Sequence, residues 1–211
     1  MVCDRSEVVS RILLIVEGDG EVEAAPVLAR RVLRELYGIY NWSFETHRRR
    51  DIAHLKANQW ANFRRYLEAA FIEGVPILWM LDCDDGCVIE LVREMQTQAR
   101  NVSIRQPLAF CMWVKEYETM FLYDPACLRQ RLAIPDFQAP VKPDGKRGVK
   151  EPLNSQMPSG RCYKERLDQP ALSAKVDLGK LQSEYRSFQH FAKSLHWLVH
   201  QNMPDLYPLR S

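Results

Sequence analysis

Residues 12–23, ILLIVEGDGEVE, form the segment from which the fold class of this chain is best predicted. It opens with five consecutive apolar residues, which is typical of a short β-strand buried on both faces of a parallel sheet. After Glu17, the apolar residues between Val22 and Tyr37 recur at helical spacing as far as Gly38, a residue type that often ends helices. A buried strand that leads into an amphipathic helix predicts the first half of a β-α-β unit.

The same alternation continues toward the middle of the chain. Further strands are expected at residues 40–46, 77–81 and 108–114, and helices at 22–37, 52–73 and 88–100. Each helix is long enough to cross over a sheet. The order β-α-β-α-β-α-β therefore predicts an α/β fold with a largely parallel sheet flanked by helices.

The composition changes after residue 133. Residues 139–166 hold seven basic side chains against three acidic ones, with four prolines and no useful periodicity, which predicts a long, basic, irregular loop. Helical spacing returns at residues 187–200. We therefore expect an α/β domain at residues 1–133, with the loop and a C-terminal helical extension at 134–211 packed on the same domain.

Composition and charge narrow the class of protein. The 211 residues are 46% hydrophobic and 27% charged, which excludes a disordered chain and a disulfide mini-scaffold. No apolar run is long enough to cross a membrane, the N-terminus lacks the layout of a secretory signal, and the six cysteines are scattered. We expect a cytoplasmic protein with free thiols and no membrane partner.

Acidic side chains follow three of the four predicted strands. They are Glu17 and Glu21 after the first, Asp82, Asp84 and Asp85 after the third, and Glu116 and Glu118 after the fourth. Because parallel strands present their carboxyl ends at one edge of a sheet, these groups should converge there. Carboxylates gathered in one place repel each other unless cations neutralise them, and hard oxygen ligands suit Mg²⁺ or Mn²⁺.

Taken singly, these residues have simpler interpretations. Glu21 or Asp85 alone is also compatible with a helix N-cap, and the run from Asp84 to Gly86 with an ordinary turn. The combination of E-G-x-x-E after one buried strand and D-x-D after another is what favours a metal site.

That combination resembles the Toprim domain, the metal-binding module of topoisomerases, primases and overcoming-lysogenization-defect nucleases. In that superfamily a Glu follows the first strand and a D-x-D the third, which Glu17 and Asp82 with Asp84 match here. The V-E-G-x-x-E form, with Glu21, looks most like the nuclease branch. The resemblance implies a Toprim/Rossmann-like arrangement of the predicted sheet.

The second half of the chain extends the resemblance. WVKEYETMFLYD (113–124), YKERLDQPALSAKVDL (163–178) and SFQHF (187–191) resemble a family of small bacterial Toprim-like proteins of unknown function. Members of that family look like companions of AAA- or ABC-type ATPases in settings suggestive of phage defence. The resemblance thus implies an ATPase subunit as partner.

The resemblance also implies roles for individual residues. Glu17 would be a metal ligand and general base, Asp82 and Asp84 metal ligands, with Glu21 and Asp85 helping to hold a second ion. Glu118 and Glu116 would complete the site. Lys150, in the basic loop, is the candidate for stabilising charge on a phosphate in the transition state.

These observations predict a Mg²⁺- or Mn²⁺-dependent nuclease that hydrolyses phosphodiester bonds of DNA or RNA. The candidate nucleic-acid-binding residues are Lys146, Arg147, Arg161 and Lys164, and H-R-R-R (47–50) is either a phosphate contact or a solvated loop. Because the formal net charge is only +2, binding to nucleic acid should be weak without a partner. The alternative is a non-catalytic Toprim-like subunit that docks onto or regulates an ATPase complex.

Overall fold

A four-stranded, all-parallel sheet lies at the centre of the structure, a computed structural model that describes residues 10–84, 86–140, 142–143, 148–201 and 203–208. The strands are β1 (Ser10–Val16), β2 (Trp42–Arg48), β3 (Ile77–Asp82) and β4 (Leu108–Trp113). Helices cover both faces of the sheet, so the predicted α/β fold with a parallel sheet is confirmed. The arrangement is consistent with a Toprim- or Rossmann-like fold.

The helices follow the strands in the predicted order, with additional helices in the second half. They are α1 (Glu21–Arg31), α2 (Ile52–Phe71), α3 (Val88–Asn101), α4 (Pro125–Leu132), α5 (Lys150–Gln156), α6 (Glu165–Ser173), α7 (Leu178–Glu184) and α8 (Arg186–His200). A π-helical segment (Val32–Leu36) extends α1, and a 3₁₀ segment (Tyr117–Tyr123) follows β4.

The strand order is β2-β1-β3-β4, which creates a switch point between β1 and β3. The chain leaves β1 toward the edge strand β2, then crosses back over β1 to form β3. The connections from β1 and β3 therefore leave in opposite directions, and α/β proteins commonly bind ligands at the carboxyl ends of two such strands. Glu17 and Asp82 stand at these two ends.

The sheet separates two hydrophobic cores. Ile12, Leu14 and Val16 point toward α1 and the C-terminal helices, whereas Leu13 and Ile15 point toward α2 and α3, and all five side chains are fully buried. Because successive side chains of a strand face opposite sides, a strand buried on both sides must be apolar throughout. That requirement explains the uninterrupted apolar run of residues 12–16.

The helix expected at residues 52–73 contains a break that the sequence analysis did not predict. Residues 57–60 leave the helical conformation, and Asn58, Gln59 and Trp60 have positive φ. The Asn62 side chain donates a hydrogen bond to the His54 carbonyl at 2.9 Å, and the Arg64 side chain donates to the Gln59 carbonyl at 2.8 Å. These bonds satisfy backbone groups that the break exposes.

The expectation of a wholly irregular loop at residues 139–166 is wrong in part. Residues 150–156 form α5, and α6 begins at Glu165. Leu153 and Tyr163, which are buried in the core beneath α1 and the C-terminal helices, hold the segment against the domain. The prediction failed because α5 has only seven residues, about two helical turns, which are too few to show a period.

The C-terminal segment pairs with the start of β4. Backbone hydrogen bonds join Leu108 to Asp205 and Tyr207 and cover the start of the outer edge of β4. In the described ranges no helix is both long and apolar enough to span a membrane, and five cysteines are free thiols.

Helix α6 packs directly on the loop between β1 and α1. A Cβ atom at Gly20 would overlap the side chain of Gln169 and the backbone of Glu165, although the backbone of Gly20 itself is in an ordinary right-handed conformation. The absence of a side chain at position 20 therefore allows the second half of the chain to approach the first strand end.

Replacement of Gly20 by Ala should decrease the free energy of unfolding by about 1–3 kcal/mol, because the added methyl group has to displace α6. The measurement is urea denaturation of both proteins. Gly86→Ala is the matched control, since its Cβ would lie at an ordinary 3.5 Å from the Cys83 carbonyl oxygen. Equal stability of the two variants would contradict the proposed close packing.

Candidate metal centre

The carboxyl ends of β1, β3 and β4 are joined through acidic side chains. The backbone N–H of Asp82 donates a 3.4 Å hydrogen bond to Oε2 of Glu17, and the backbone N–H of Tyr117 donates a 3.0 Å hydrogen bond to Oδ1 of Asp82. Glu17 is therefore adjacent to the end of β3, and Asp82 is adjacent to the segment after β4. The structure brings these predicted site residues to one edge of the sheet.

Glu21 lies beneath this edge, in the first turn of α1, with only 3% of its surface exposed. Its Oε1 accepts a 3.2 Å hydrogen bond from the Gly18 N–H, which closes the turn after β1. Its Oε2 is buried and has no hydrogen-bond partner among the described residues. A buried carboxylate oxygen without a partner is costly and indicates that a proton or a cation belongs beside it.

The electrostatics of the group show how closely these carboxylates interact. Burial, followed by the charge of Glu118, raises the pKa of Glu21 to about 8. Burial, followed by Glu21 and Glu17, raises the pKa of Asp82 well above its ordinary value. Burial also raises the pKa of Glu17 to about 6, against the hydrogen bond from Asp82. Without a cation, the fold thus holds these acids partly protonated. We call Glu17, Glu21 and Asp82 the inner carboxylates.

A second group, the Lys150 cluster, consists of Lys150, Glu118, Glu165 and Gln169. Nζ of Lys150 lies 3.4 Å from Oε1 of Glu118 and 2.6 Å from Oε1 of Glu165. The Gln169 side chain donates a 2.8 Å hydrogen bond to the same Oε1 of Glu118. Burial raises the pKa of Glu118, and the charge of Lys150 acts in the opposite direction. The cluster therefore brings α5 and α6 to the end of β4.

The carboxylate of Glu116 is not free, because it accepts hydrogen bonds that position a neighbouring segment. Its two oxygens accept hydrogen bonds from the backbone N–H groups of Gly148 at 2.8 Å and Val149 at 3.2 Å, immediately before Lys150. Glu116 thus holds the start of α5 in place. These two bonds use one lone pair on each carboxylate oxygen of Glu116, which the sequence analysis expected among the metal ligands.

Asp84 lies on the exposed turn after β3, near the inner carboxylates. It forms an isolated antiparallel bridge with Lys115, and both residues have positive φ, 38° and 71°. The negative charge of Asp84 contributes to the raised pKa of Glu17. Non-glycine residues in this conformation are strained, and such strain concentrates at functional sites.

The predicted nucleic-acid-binding residues are only partly described. Arg161 donates a 3.2 Å hydrogen bond to the Leu132 carbonyl and lies 3.7 Å from Asp168, so its guanidinium stabilises the segment before α6. Lys164 is exposed at the start of α6. Lys146, Arg147 and the expected metal ligand Asp85 lie outside the described residues.

Three contributors to the centre were missed by the sequence analysis. Asp51, the N-cap of α2, follows β2 and raises the pKa of Glu17, so its position after a strand was a usable signal. Glu165 and Gln169 had no such signal, because they lie on a helix far along the chain and reach the centre only through tertiary packing.

Elsewhere, Glu45, His47 and Glu73 offer ligand atoms that all lie within 4.8 Å of one another. Arg11 already forms ion pairs with both glutamates, at 2.5 Å and 3.4 Å. A protein cation therefore already offsets the charge of this group. Among the described residues, no other group of three or more His, Cys, Asp and Glu side chains brings its ligand atoms this close together, so those of Glu17, Glu21 and Asp82 lie farther apart.

The raised pKa values predict how stability without metal depends on pH. Glu21 has a pKa near 4.5 in an unfolded chain and about 8 in the fold, so its contribution is fully present below about pH 4.5 and is lost as the pH rises through about 8. The free energy of unfolding of the metal-free protein should fall by about 4 kcal/mol between pH 5 and pH 8.5. Thermal melting across this range measures the loss.

Glu21→Gln should make this pH dependence shallower, because the amide does not titrate. Glu23→Gln is the matched control, as Glu23 is an exposed acid in the same helical turn. A Glu21→Gln protein with the same slope as the control would contradict the assignment of the buried charge.

No protein-family model, curated protein or solved structure matches this chain.

Proposed function

We propose that this chain is a Mg²⁺- or Mn²⁺-dependent phosphodiesterase that hydrolyses DNA or RNA. The observation that carries the proposal is Glu21, whose buried Oε2 has no partner among the described residues and whose pKa is raised by burial and then by Glu118 and Glu17. A bound cation would stabilise such a buried, unpartnered carboxylate oxygen.

The donors present suit a hard divalent cation. Glu17, Glu21 and Asp82 offer carboxylate oxygens, and within the described ranges no lysine or arginine forms an ion pair with any of the three. Carboxylate oxygens without nitrogen or sulfur ligands favour Mg²⁺ or Mn²⁺ over Zn²⁺ or copper. When bound, such an ion supplies polarisation of a phosphate and a more acidic bound water.

Glu17 is the residue best placed to accept a proton. It is partly exposed at the end of β1, whereas Glu21 is buried beneath it. Burial raises the pKa of Glu17 to about 6, which is close enough to neutral pH for efficient general-base catalysis while most of the group stays ionised. Lys150 supplies a positive charge on the other side of the centre, where a phosphate oxygen becomes more negative in the transition state.

A phosphate backbone as substrate is supported by exposed cations around the same edge. Arg48 at the end of β2 and Arg166 on α6 both form ion pairs with Asp19, at 3.0 Å and 3.3 Å, and their side chains are 55% and 73% exposed. They flank the loop between Glu17 and Glu21. Arginines in this position provide contacts for phosphates without reading sequence.

The sequence resemblance adds the biological setting to this proposal. It points to an effector of bacterial antiviral defence that works with an AAA- or ABC-type ATPase. The few exposed cations near the centre agree with a need for such a partner, because affinity for nucleic acid grows with the number of phosphate contacts.

Glu17→Gln should reduce cleavage of nucleic acid by at least about 100-fold, because the amide keeps the shape of the side chain but neither accepts a proton nor binds a cation as well. The measurement uses end-labelled single- and double-stranded DNA and RNA, with Mn²⁺, Mg²⁺ or EDTA. Glu23→Gln serves as the control, and melting curves check that each protein is folded.

Metal-dependent cleavage that Glu17→Gln leaves at the wild-type rate would contradict the proposed active site. A wild-type protein that binds the cation but cleaves none of the substrates, alone or with its ATPase, would favour the non-catalytic docking subunit instead.

A further inference from the structure

The segment after β2 places arginines beside the strand end that carries Glu17. Nε of Arg48 donates a 3.2 Å hydrogen bond to the carbonyl oxygen of Glu17. The backbone N–H of Arg49 donates a 2.7 Å hydrogen bond to the carbonyl oxygen of Val16, the residue before Glu17. These two bonds fix the position of the segment next to the proposed general base.

The side chains of Arg49 and Arg65 meet on the ring of Tyr66, in α2. Their guanidinium carbons lie 5.1 Å and 5.2 Å from the centre of that ring, which is within the range of cation–π interactions. The Tyr66 hydroxyl group and Nε2 of His54 form a 3.1 Å hydrogen bond, and the two rings stack with their centres 6.0 Å apart. The tyrosine ring is therefore held in place, with two cations against it.

No acidic side chain within the described ranges forms an ion pair with Arg49 or Arg65. Nη1 of Arg49 donates a 2.8 Å hydrogen bond to the Arg48 carbonyl, and Nη2 of Arg65 lies 3.4 Å from Oδ1 of Asn62. Nε of Arg49 is a buried donor without a hydrogen-bond partner among the described residues, and such donors are rare in proteins. Because two like charges near each other repel, an anion bound between them would stabilise the pair.

The chemistry of this patch suits a single-stranded nucleic acid. Guanidinium groups form paired hydrogen bonds with phosphate oxygens, and their planes also stack on nucleobases. A duplex offers its phosphates but keeps the faces of its bases stacked inside, whereas a single strand offers both. Cations interleaved with an aromatic ring are typical of proteins that bind single strands without reading their sequence.

We propose that Arg49, Arg65 and Tyr66 form a binding surface for single-stranded nucleic acid that leads from α2 to the centre. This inference rests on the proposed function and specifies the strand state of its substrate. These residues lie outside the basic segment 139–166. The sequence analysis missed Arg65 and Tyr66 because an arginine and a tyrosine on the surface of a helix carry no pattern of their own.

The test measures binding in EDTA, where metal-dependent cleavage does not proceed. A labelled single strand and the matching duplex, of DNA and of RNA, are titrated with the full-length chain, and fluorescence anisotropy is followed at several salt concentrations. Wild type should bind the single strand at least about 5-fold more tightly than the duplex. Arg49→Gln and Arg65→Gln should each weaken single-strand binding about 3- to 10-fold and lower the slope of log affinity against log salt by about one.

The matched control is Arg93→Gln, which removes the charge of an exposed arginine on α3 and should bind as wild type does. Melting curves check that each variant is folded, and if Arg49→Gln does not fold, the exposed Arg65 decides alone.

The outcomes separate this inference from the proposed function. Equal single-strand binding by Arg65→Gln and Arg93→Gln, a preference for duplex, or no binding at high protein concentration and low salt would overturn the inference. Metal-dependent cleavage by that same protein would leave the phosphodiesterase standing. Single-strand binding that depends on Arg49 and Arg65, without cleavage after Mg²⁺ or Mn²⁺ is added, would support the inference and contradict the proposed function.

Discussion

Repulsion among buried carboxylates is the constraint on which the rest of this structure depends. Parallel strands bring their carboxyl ends to one edge, and here β1, β3 and the segment after β4 all deliver acids to it. Burial raises the pKa values of Glu17, Glu21 and Asp82, and neighbouring acids raise them further. Protons or cations that offset this charge therefore stabilise the fold.

Much of the second half of the chain serves that need. Gly20 lets α6 approach the first strand end, and α6 contributes Gln169 and Glu165 to the centre. Glu116 anchors the start of α5 so that Lys150 reaches Glu118. The C-terminal segment is therefore part of the centre as well as a cover for one face of the sheet.

The same arrangement satisfies the carboxylates on one side of the centre better than those on the other. On the side of β4, Lys150 and Gln169 satisfy Glu118, whereas on the side of β1 the Oε2 of Glu21 is unpartnered within the described ranges. Our proposal of a cation near β1 and β3, with the partly exposed Glu17 as the base, follows from this difference.

The sequence predicts the succession of strands along the chain and the parallel sheet, because residues 12–16 and 77–81 are apolar on both faces and long helices separate them. It also located Glu17, Glu21, Asp82 and Glu118, since acids that follow buried strands must meet at one edge. Only the tertiary structure decided what surrounds them. Glu165 and Gln169 carry no local pattern, and the contact of Glu116 with Gly148 and Val149 joins distant segments. Such contacts depend on how helices pack in three dimensions, which neither periodicity nor spacing along the chain records.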